Sequence, residues 1–347
     1  MMKDIWKQVD AVLLTSPHNL RYFTGFTGGE GVAVLTEKSR YLFVDSRYTV
    51  AAKEEATGFS VIEFTAGKRN QEISQCLSGV TTLGYEEDAM TVAEFHSLQE
   101  LGAQLTWQGV SATLSKMRMR KTEQELACLR QAEAIGVEAF QAVLPLIKIG
   151  VTELEIAAEL EYQMRKRGGE GTSFETIVVS GHKSSMPHGK PSDKKIESGD
   201  FVTMDFGCMY QGYCSDMTRT VAVGKISDEQ RKIYDTVKHA QEAGLSAIRA
   251  GVAGMDADKI ARQVIADAGY GAYFGHSLGH GVGLLIHELP NLSPRSETIL
   301  QPNMVVTCEP GIYIPNLGGV RIEDMVCVRQ DGIENFTHLS KELLILG

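Results

Sequence analysis

Two aspartates stand in this chain where a strand has little use for them. In residues 201–223, FVTMDFGCMYQGYCSDMTRTVAV, apolar and β-branched residues flank Gln211-Gly212, a pattern that predicts a β-hairpin. With those two residues as the loop, Tyr210 pairs with Tyr213 and Gly207 with Asp216, so Asp205 becomes a diagonal neighbour of Asp216 on one face. Asp is depleted in strands. Two like charges on a half-buried face repel unless a positive charge sits between them, and a bound cation meets that need most simply. A solvated face near the turn is the plainer alternative, and the hairpin alone does not choose between them.

A second copy of the pattern adds weight to the cation. Shifted by 104 positions (309 − 205), FVTMDFG at 201–207 lies over VVTCEPG at 305–311, with Asp205 on Glu309 and Gly207 on Gly311. A further acid, Glu323 in GGVRIEDMV, follows Glu309 after the loop IPNLGG much as Asp216 follows Asp205 after QG. Helix starts recur as well. Thr122 with Glu125 and Thr152 with Glu155 read as capping boxes, and Ser227 with Gln230 and Asp256 stand at the corresponding places (227 − 122 = 105; 256 − 152 = 104). Residues from about 120 onward therefore read as helix, helix, β-hairpin, twice over, a pseudo-twofold domain and not a solenoid.

Composition narrows the partners. With 347 residues the chain is long enough for two domains, and 43% hydrophobic with 22% charged residues is ordinary for a soluble protein. A formal charge of −10 argues against nucleic acid and anionic membrane. Cys76, Cys128, Cys208, Cys214, Cys308 and Cys327 show no CxxC spacing, which fits reduced thiols in a cytoplasm. MMKDIWKQVDAVLL has early acids and no long apolar run, so neither a signal peptide nor a membrane span is expected.

Residues 1–118 read as a small α/β domain, with strands at 11–16, 31–36, 40–45 and 60–64 and helical spacing in SRYTVAAKEEA and TVAEFHSLQEL. The glycines of TGFTGGEGVAVLT precede a strand and open no helix, which excludes a dinucleotide fingerprint. His18, Asp45, Arg47 and His96 have no interpretable spacing and read as surface or structural residues. The basic run SKMRMRKTEQE leads into residues 119–347. There, helices are expected from Thr122 to about Leu146, from Thr152 to Gly168, from Ser227 to about Arg249 and from Asp256 to Ala268. The strand and loop of GTSFETIVVSGHKSSMPHGKPSD hold His182 and His188, the latter between Pro187 and Gly189. YFGHSLGHGVGLLIHELP gathers His276, His280 and His287 among glycines, and alternation of Val282, Leu284 and Ile286 favours extended structure. A polar tail is expected to close the chain.

Asp205, Asp216, Glu309 and Glu323 thus share hairpins, with imidazoles nearby and no thiolate in a ligand-like place. Carboxylates facing one cavity need about two divalent cations for neutrality, and oxygen donors with one nitrogen suit Mn, Co, Fe or Zn. Two such ions can hold a hydroxide between them and polarise a carbonyl, which is metal-assisted hydrolysis. The remaining histidines would handle protons and substrate.

HSLGHGVGLLIHE at 276–288, DFG at Asp205, SDMTRT around Asp216, EPGIY at Glu309 and RIED at Glu323 together resemble the pita-bread proline-specific metallopeptidases, the group of aminopeptidase P and prolidase. The resemblance spans the chain and implies an α/β creatinase-like N-terminal domain (1–118) plus an α+β pita-bread catalytic domain (119–347). It further implies that Asp205, Asp216, His280, Glu309 and Glu323 bind two divalent ions, most often manganese or cobalt, with Asp216 and Glu323 bridging. Glu309 would act as general base; His188, His276 and His287 would contact substrate and stabilise the tetrahedral intermediate, and Arg321 would hold this outer set in place. His182 matches no motif.

The implied substrates are peptides with proline at position two, cut by a cytoplasmic homodimer. Compact length and the segments GTSFETIVVSG, MPHGKPSD and YQGYCSDMTRT are most similar to small bacterial Xaa-Pro aminopeptidases, which puts longer peptides ahead of Xaa-Pro dipeptides. Three rivals rank lower. A metal-free creatinase does not keep all five ligands, a methionine aminopeptidase lacks the α/β N-terminal domain, and a non-catalytic chromatin-associated module would have lost ligands or gained basic tails.

Overall fold

The apolar runs near the N-terminus become strands because successive residues serve two buried faces. In the computed structural model, which describes residues 2–347, the chain divides into units Met1–Arg118 and Met119–Gly347. The first contains β1 (Ala11–Leu14), α1 (Pro17–Thr24), β2 (Val32–Thr36), β3 (Arg40–Val44), α2 (Thr49–Glu55), β4 (Ser60–Glu63), α3 (Arg69–Cys76), β5 (Thr82–Tyr85), α4 (Val92–Gln99), β6 (Thr106–Gly109) and α5 (Ser111–Met119). Its mixed sheet has the order β4-β3-β2-β1-β5-β6. Ala11, Leu13, Val34 and Phe43 pack on one face with Ile73 and Leu98; Val12, Leu14, Ala33 and Leu42 pack on the other with Leu20 and Leu114.

Two features of this unit depart from expectation. Ser16, expected at a strand end, caps α1 by accepting from the Asn19 N–H, with Pro17 next in the first turn. The parallel strands β5 and β6, TLGY and TWQG, carry too little apolar alternation to be legible in sequence.

The second unit continues with α6 (Glu123–Val143), α7 (Glu153–Lys166), β7 (Gly171–Thr172), β8 (Ile177–Ser180), β9 (Phe201–Phe206), β10 (Cys208–Tyr210), β11 (Tyr213–Cys214), β12 (Met217–Val223), α8 (Asp228–Ala247) and α9 (Gly254–Asp267). It ends with β13 (Gly279–Gly281), β14 (Glu288–Leu292), β15 (Val305–Cys308), β16 (Gly311–Ile314), β17 (Gly318–Arg321), β18 (Asp324–Val328), β19 (Ile333–Asn335) and β20 (Ile345–Leu346). The two halves are the duplicated helix, helix, hairpin. Thr122, Thr152 and Ser227 each close a capping box with the residue three positions on. Ile156, Leu160 and Met164 of α7 join Ala139 and Phe140 of α6 in burying the sheet β20-β12-β9-β8; full burial of one such side chain contributes about 1.5–3 kcal/mol. Ala257 and Ala261 of α9 with Leu245 of α8 cover Val306 and Val326 in the sheet β14-β13-β15-β18-β19. Among the described residues no helix is long and apolar enough to cross a membrane.

Three expectations need correction here. α9 is capped by Ala253, not by Asp256: the N–H groups of Gly254 and Met255 bond to the carbonyls of Thr298 and Ser296, so backbone replaces the expected side-chain cap. Residues 282–287 are not extended and 283–287 are bends, because the Gly283 N–H turns back to the Leu285 carbonyl and the Leu285 N–H bonds to Glu288. The tail is not merely polar, since β20 pairs in parallel with β12 through Ala222↔Ile345.

The central hairpin has the expected register. Tyr210 faces Tyr213 across a turn in which Gln211 and Gly212 both have positive φ (46° and 72°). Phe206↔Met217 and Met209↔Cys214 bracket Gly207 opposite Asp216. The ladder breaks there, and β10 and β11 join a different sheet from β9 and β12. At the break a Cβ on Gly207 would lie 1.9 Å from the Ser215 carbonyl oxygen. Gly207→Ala is therefore expected to lower stability by about 3 kcal/mol, read as a fall in urea midpoint at unchanged slope.

Candidate metal centre

Each site carboxylate but one sits where a strand leaves one sheet for another. Asp216 lies between β11 and β12, Glu309 between β15 and β16, and Glu323 between β17 and β18, while Asp205 lies near the end of β9 and His280 in the middle of β13. Leaving the ladder frees backbone N–H groups, and each finds a replacement. Glu323 N–H donates to the Thr218 carbonyl at 3.1 Å, Glu309 N–H to Leu278 at 2.8 Å, and Asp216 N–H to the buried Glu133 carboxylate at 3.3 Å. Cys308↔Asp324 and Gly311↔Arg321 bracket Glu309 opposite Glu323, so the second pair faces directly where the first is diagonal. Gly279 lets β13 approach, since a Cβ there would meet the Thr307 carbonyl oxygen at 2.1 Å.

The ligand atoms of Asp216, His280 and Glu323 lie within 4.8 Å of one another. His280 Nδ1 faces the Gly281 carbonyl at 3.1 Å, so Nδ1 carries the proton and donates it there. Its Nε2 lone pair then points toward Asp216 Oδ2 and Glu309 Oε1, each at 3.4 Å, so the imidazole offers neither carboxylate a proton. Thr218 Oγ1 donates to Glu323 Oε2 at 2.7 Å and Thr307 Oγ1 to Glu309 Oε1 at 3.3 Å. Asp205 Oδ1 and Glu323 Oε1 are buried with no partner.

Arg321 braces this wall. Its guanidinium donates to Asp205 Oδ2 at 2.5 Å, to Thr218 Oγ1 at 3.0 Å and to the Tyr313 hydroxyl at 2.8 Å, and it lies 3.4 Å from the Pro187 carbonyl. Tyr313 in turn meets His276 Nε2 at 3.0 Å, while His276 Nδ1 donates to the Ser277 carbonyl at 2.8 Å. Both ring nitrogens of His276 are thus engaged within the protein. Burial, aided by the Arg321 charge, lowers the His276 pKa to about 4, so the ring is neutral at pH 7.

Asp205, Asp216, Glu309, Glu323 and His280 line one cavity of about 960 Å3, and so do His188, His276, His287 and Arg321. The nine residues singled out from sequence therefore meet. His182, set aside earlier, lies exposed in the short 3-10 turn Gly181–Ser185 outside that lining. Sequence reasoning missed Tyr313, Thr218, Thr307 and Glu133. The first three stand inside quoted motifs, EPGIY, SDMTRT and VVTCEPG, but a neutral hydroxyl carries no signal until its partner is known. Two further carboxylates hold the histidine segments. Asp258 accepts from the Leu278 N–H and pairs with Arg262, which donates to the carbonyls of Phe274 and His276. Glu288 accepts from the Leu285 N–H and from Lys121 at 2.9 Å.

Residues 127–330 match the profile of metallopeptidase family M24, and residues 6–120 match the creatinase/prolidase N-terminal domain. The chain belongs to metallopeptidase family M24. Similar solved structures of the family include the Xaa-Pro dipeptidase from Bacillus anthracis, 44% identical with a TM-score of 0.96 over 99% of this chain and 97% of that one. The X-Pro aminopeptidase from Thermotoga maritima is 40% identical with a TM-score of 0.92 over 97% and 98%. The Xaa-Pro dipeptidase of Pyrococcus furiosus is 40% identical over 97% of this chain and 95% of its own. The pita-bread architecture expected from the sequence is the one observed.

A metallopeptidase family implies divalent metal, and the M24 wall described here fits one. It offers two unpartnered buried carboxylate oxygens and an imidazole lone pair among oxygen donors. Cys308, the neighbouring thiol, turns away to the Gln241 carbonyl.

The electrostatics argue the same way. Burial first, then mutual repulsion, holds Asp216 and Glu323 well above the usual carboxylate range, and burial raises Glu309. A raised folded-state pKa means the folded protein binds protons that the unfolded chain has released, so stability is lost as pH rises above the unfolded carboxylate value of about 4. A cation cancels that loss. The melting temperature with a saturating divalent metal is therefore expected to exceed that in chelator, by a gap that widens from pH 5 to pH 8; metal at 100 times Kd adds about 2.7 kcal/mol. A gap that is absent or narrows with pH would contradict this assignment of the buried charge.

Proposed function

We propose that this chain hydrolyses the peptide bond preceding a proline at position two of a short peptide. Two divalent ions would be held by Asp205, Asp216, His280, Glu309 and Glu323, with Asp216 and Glu323 shared between them. One observation carries the reading: the ligand atoms of Asp216, His280 and Glu323 converge within 4.8 Å on the wall of a cavity of about 960 Å3, large enough for a short peptide. Manganese is the preferred ion, with cobalt, zinc or iron as alternatives of the same ligand chemistry.

When bound, the ions supply a water that ionises near neutral pH and a Lewis acid for the carbonyl. The protein's own groups do the rest. Glu309 would take a proton from the attacking water and return it to the proline nitrogen as the C–N bond breaks, and burial, which raises its pKa, suits it to carry that proton. The proline nitrogen has no N–H, so recognition cannot rest on a donor there. His188 and His287 line the cavity and would contact the substrate. His276 is neutral and spent on Ser277 and Tyr313, so its part is to orient the Tyr313 and Arg321 brace through which one Asp205 oxygen is left for an ion.

Sequence motifs rank longer peptides first, but two of the three relatives described are named dipeptidases, which moves Xaa-Pro dipeptides ahead. A cytoplasmic site suits the free cysteines, and a homodimer, as the resemblance implies, is read by sedimentation.

Proline release from Ala-Pro is expected to exceed turnover of Ala-Pro-Ala-Ala, and both are expected to stop in chelator. Glu309→Gln is expected to lower kcat by about 10²- to 10⁴-fold. A metal-replete protein that cuts neither peptide would refute the reading.

A further inference from the structure

The segment that brings His188 to the cavity has little regular structure of its own. Between β8 and β9, after the short turn Gly181–Ser185, it runs irregularly past Pro187, His188, Gly189 and Pro191. Both ends of this stretch meet one side chain. Glu153, the first residue of α7 and fully buried, accepts at Oε1 from the Ser180 N–H at 2.7 Å and the Ser180 hydroxyl at 2.9 Å. At Oε2 it accepts from the Ser192 N–H at 3.0 Å, the Ser192 hydroxyl at 2.8 Å and the Lys183 ammonium. Lys183 cross-braces the stretch by donating to the Lys190 carbonyl at 3.2 Å and the Ser192 hydroxyl at 2.7 Å. The α7 backbone adds to the clasp, since the Glu153 and Leu154 N–H groups donate to the carbonyls of Lys194 and Ser192, each at 3.1 Å.

We propose that Glu153 is a positioning residue for catalysis, a buried carboxylate that clasps Ser180 to Ser192 and thereby sets where His188 stands. The inference rests on the peptidase reading above. Five donors converge on two oxygens, so the clasp depends on an acceptor that carries charge and has no N–H of its own. A glutamine at this place would turn an NH2 group toward donors at one of the two ends, and that end would come loose. The middle of the loop is tied separately, because the Ser184 hydroxyl accepts from the Gly319 N–H at 2.8 Å. With the Pro187 carbonyl also 3.4 Å from the Arg321 guanidinium, loss of the clasp loosens His188 without detaching the loop. A displacement of about 1 Å in such a group is enough to cost about 10²-fold in rate.

The test is a double-mutant cycle with hydrogen exchange on the metal-replete protein. Glu153→Gln is expected to lower kcat/KM for Ala-Pro by about 10- to 100-fold, to speed amide exchange in residues 181–191, and to leave metal stoichiometry unchanged. Combined with His188→Ala it is expected to cost no more than about twofold beyond His188→Ala alone. Ser192→Ala, which removes one hydroxyl and no charge, carries the same test at smaller amplitude should the glutamine variant fold poorly. Losses that multiply fully with His188→Ala, or unchanged exchange in 181–191, would overturn the clasp. Failure of the wild-type protein to cut Ala-Pro would instead overturn the peptidase reading, and the exchange data would still decide whether Glu153 holds the loop.

Discussion

Buried like charge is the constraint under which this unit is built. Asp205, Asp216, Glu309 and Glu323 share one wall with His280, and two unit charges about 4 Å apart repel by about 4 kcal/mol at an effective dielectric near 20. Only a rigid frame can hold carboxylates together against that force. The frame here is a pair of hairpins whose ladders break at Asp216, Glu309 and Glu323, each broken N–H being re-bonded to the backbone of Leu278 or Thr218 or to Glu133. The packed cores beneath, α6 and α7 on one sheet and α8 and α9 on the other, keep the hairpins from relaxing apart.

Much of this was legible because charge in a strand conflicts with its surroundings. Asp205 and Glu309 could be superposed by a shift of 104 (309 − 205), and the capping boxes at Thr122, Thr152 and Ser227 marked the helices that support each hairpin. What stayed hidden depended on partners far along the chain. Asp256 looked like a cap, yet the groups that cap α9 are the carbonyls of Ser296 and Thr298, which no local pattern announces. Alternation at Val282, Leu284 and Ile286 suggested a strand, but Glu288 with Lys121 folds that stretch into bends. Tyr313 was in view within EPGIY and gained meaning only once Arg321 and His276 were seen on either side of its hydroxyl.

The N-terminal unit was read less completely for a related reason. Its central strands alternate between two apolar clusters and declare themselves, whereas β5 and β6 owe their conformation to parallel pairing with neighbours and not to their own side chains. Ser16 shows how a residue near a strand end can serve the next element: two positions beyond β1 it opens α1, while its hydroxyl also reaches the buried Glu86.

The pair Asp258 and Arg262 on α9 bears on how this protein would be redesigned. One turn of a helix grips the carbonyls of Phe274 and His276 and the N–H of Leu278, so the segment leading into β13 is steered from a scaffold element that does not itself line the cavity. Libraries aimed at altered selectivity usually saturate the residues that line the cavity, and here several of those residues are also the proposed metal ligands or their braces. Randomising the helix behind them would instead offer graded adjustment of the imidazoles while sparing the donors, and would open a route to new variants that conventional pocket mutagenesis does not sample.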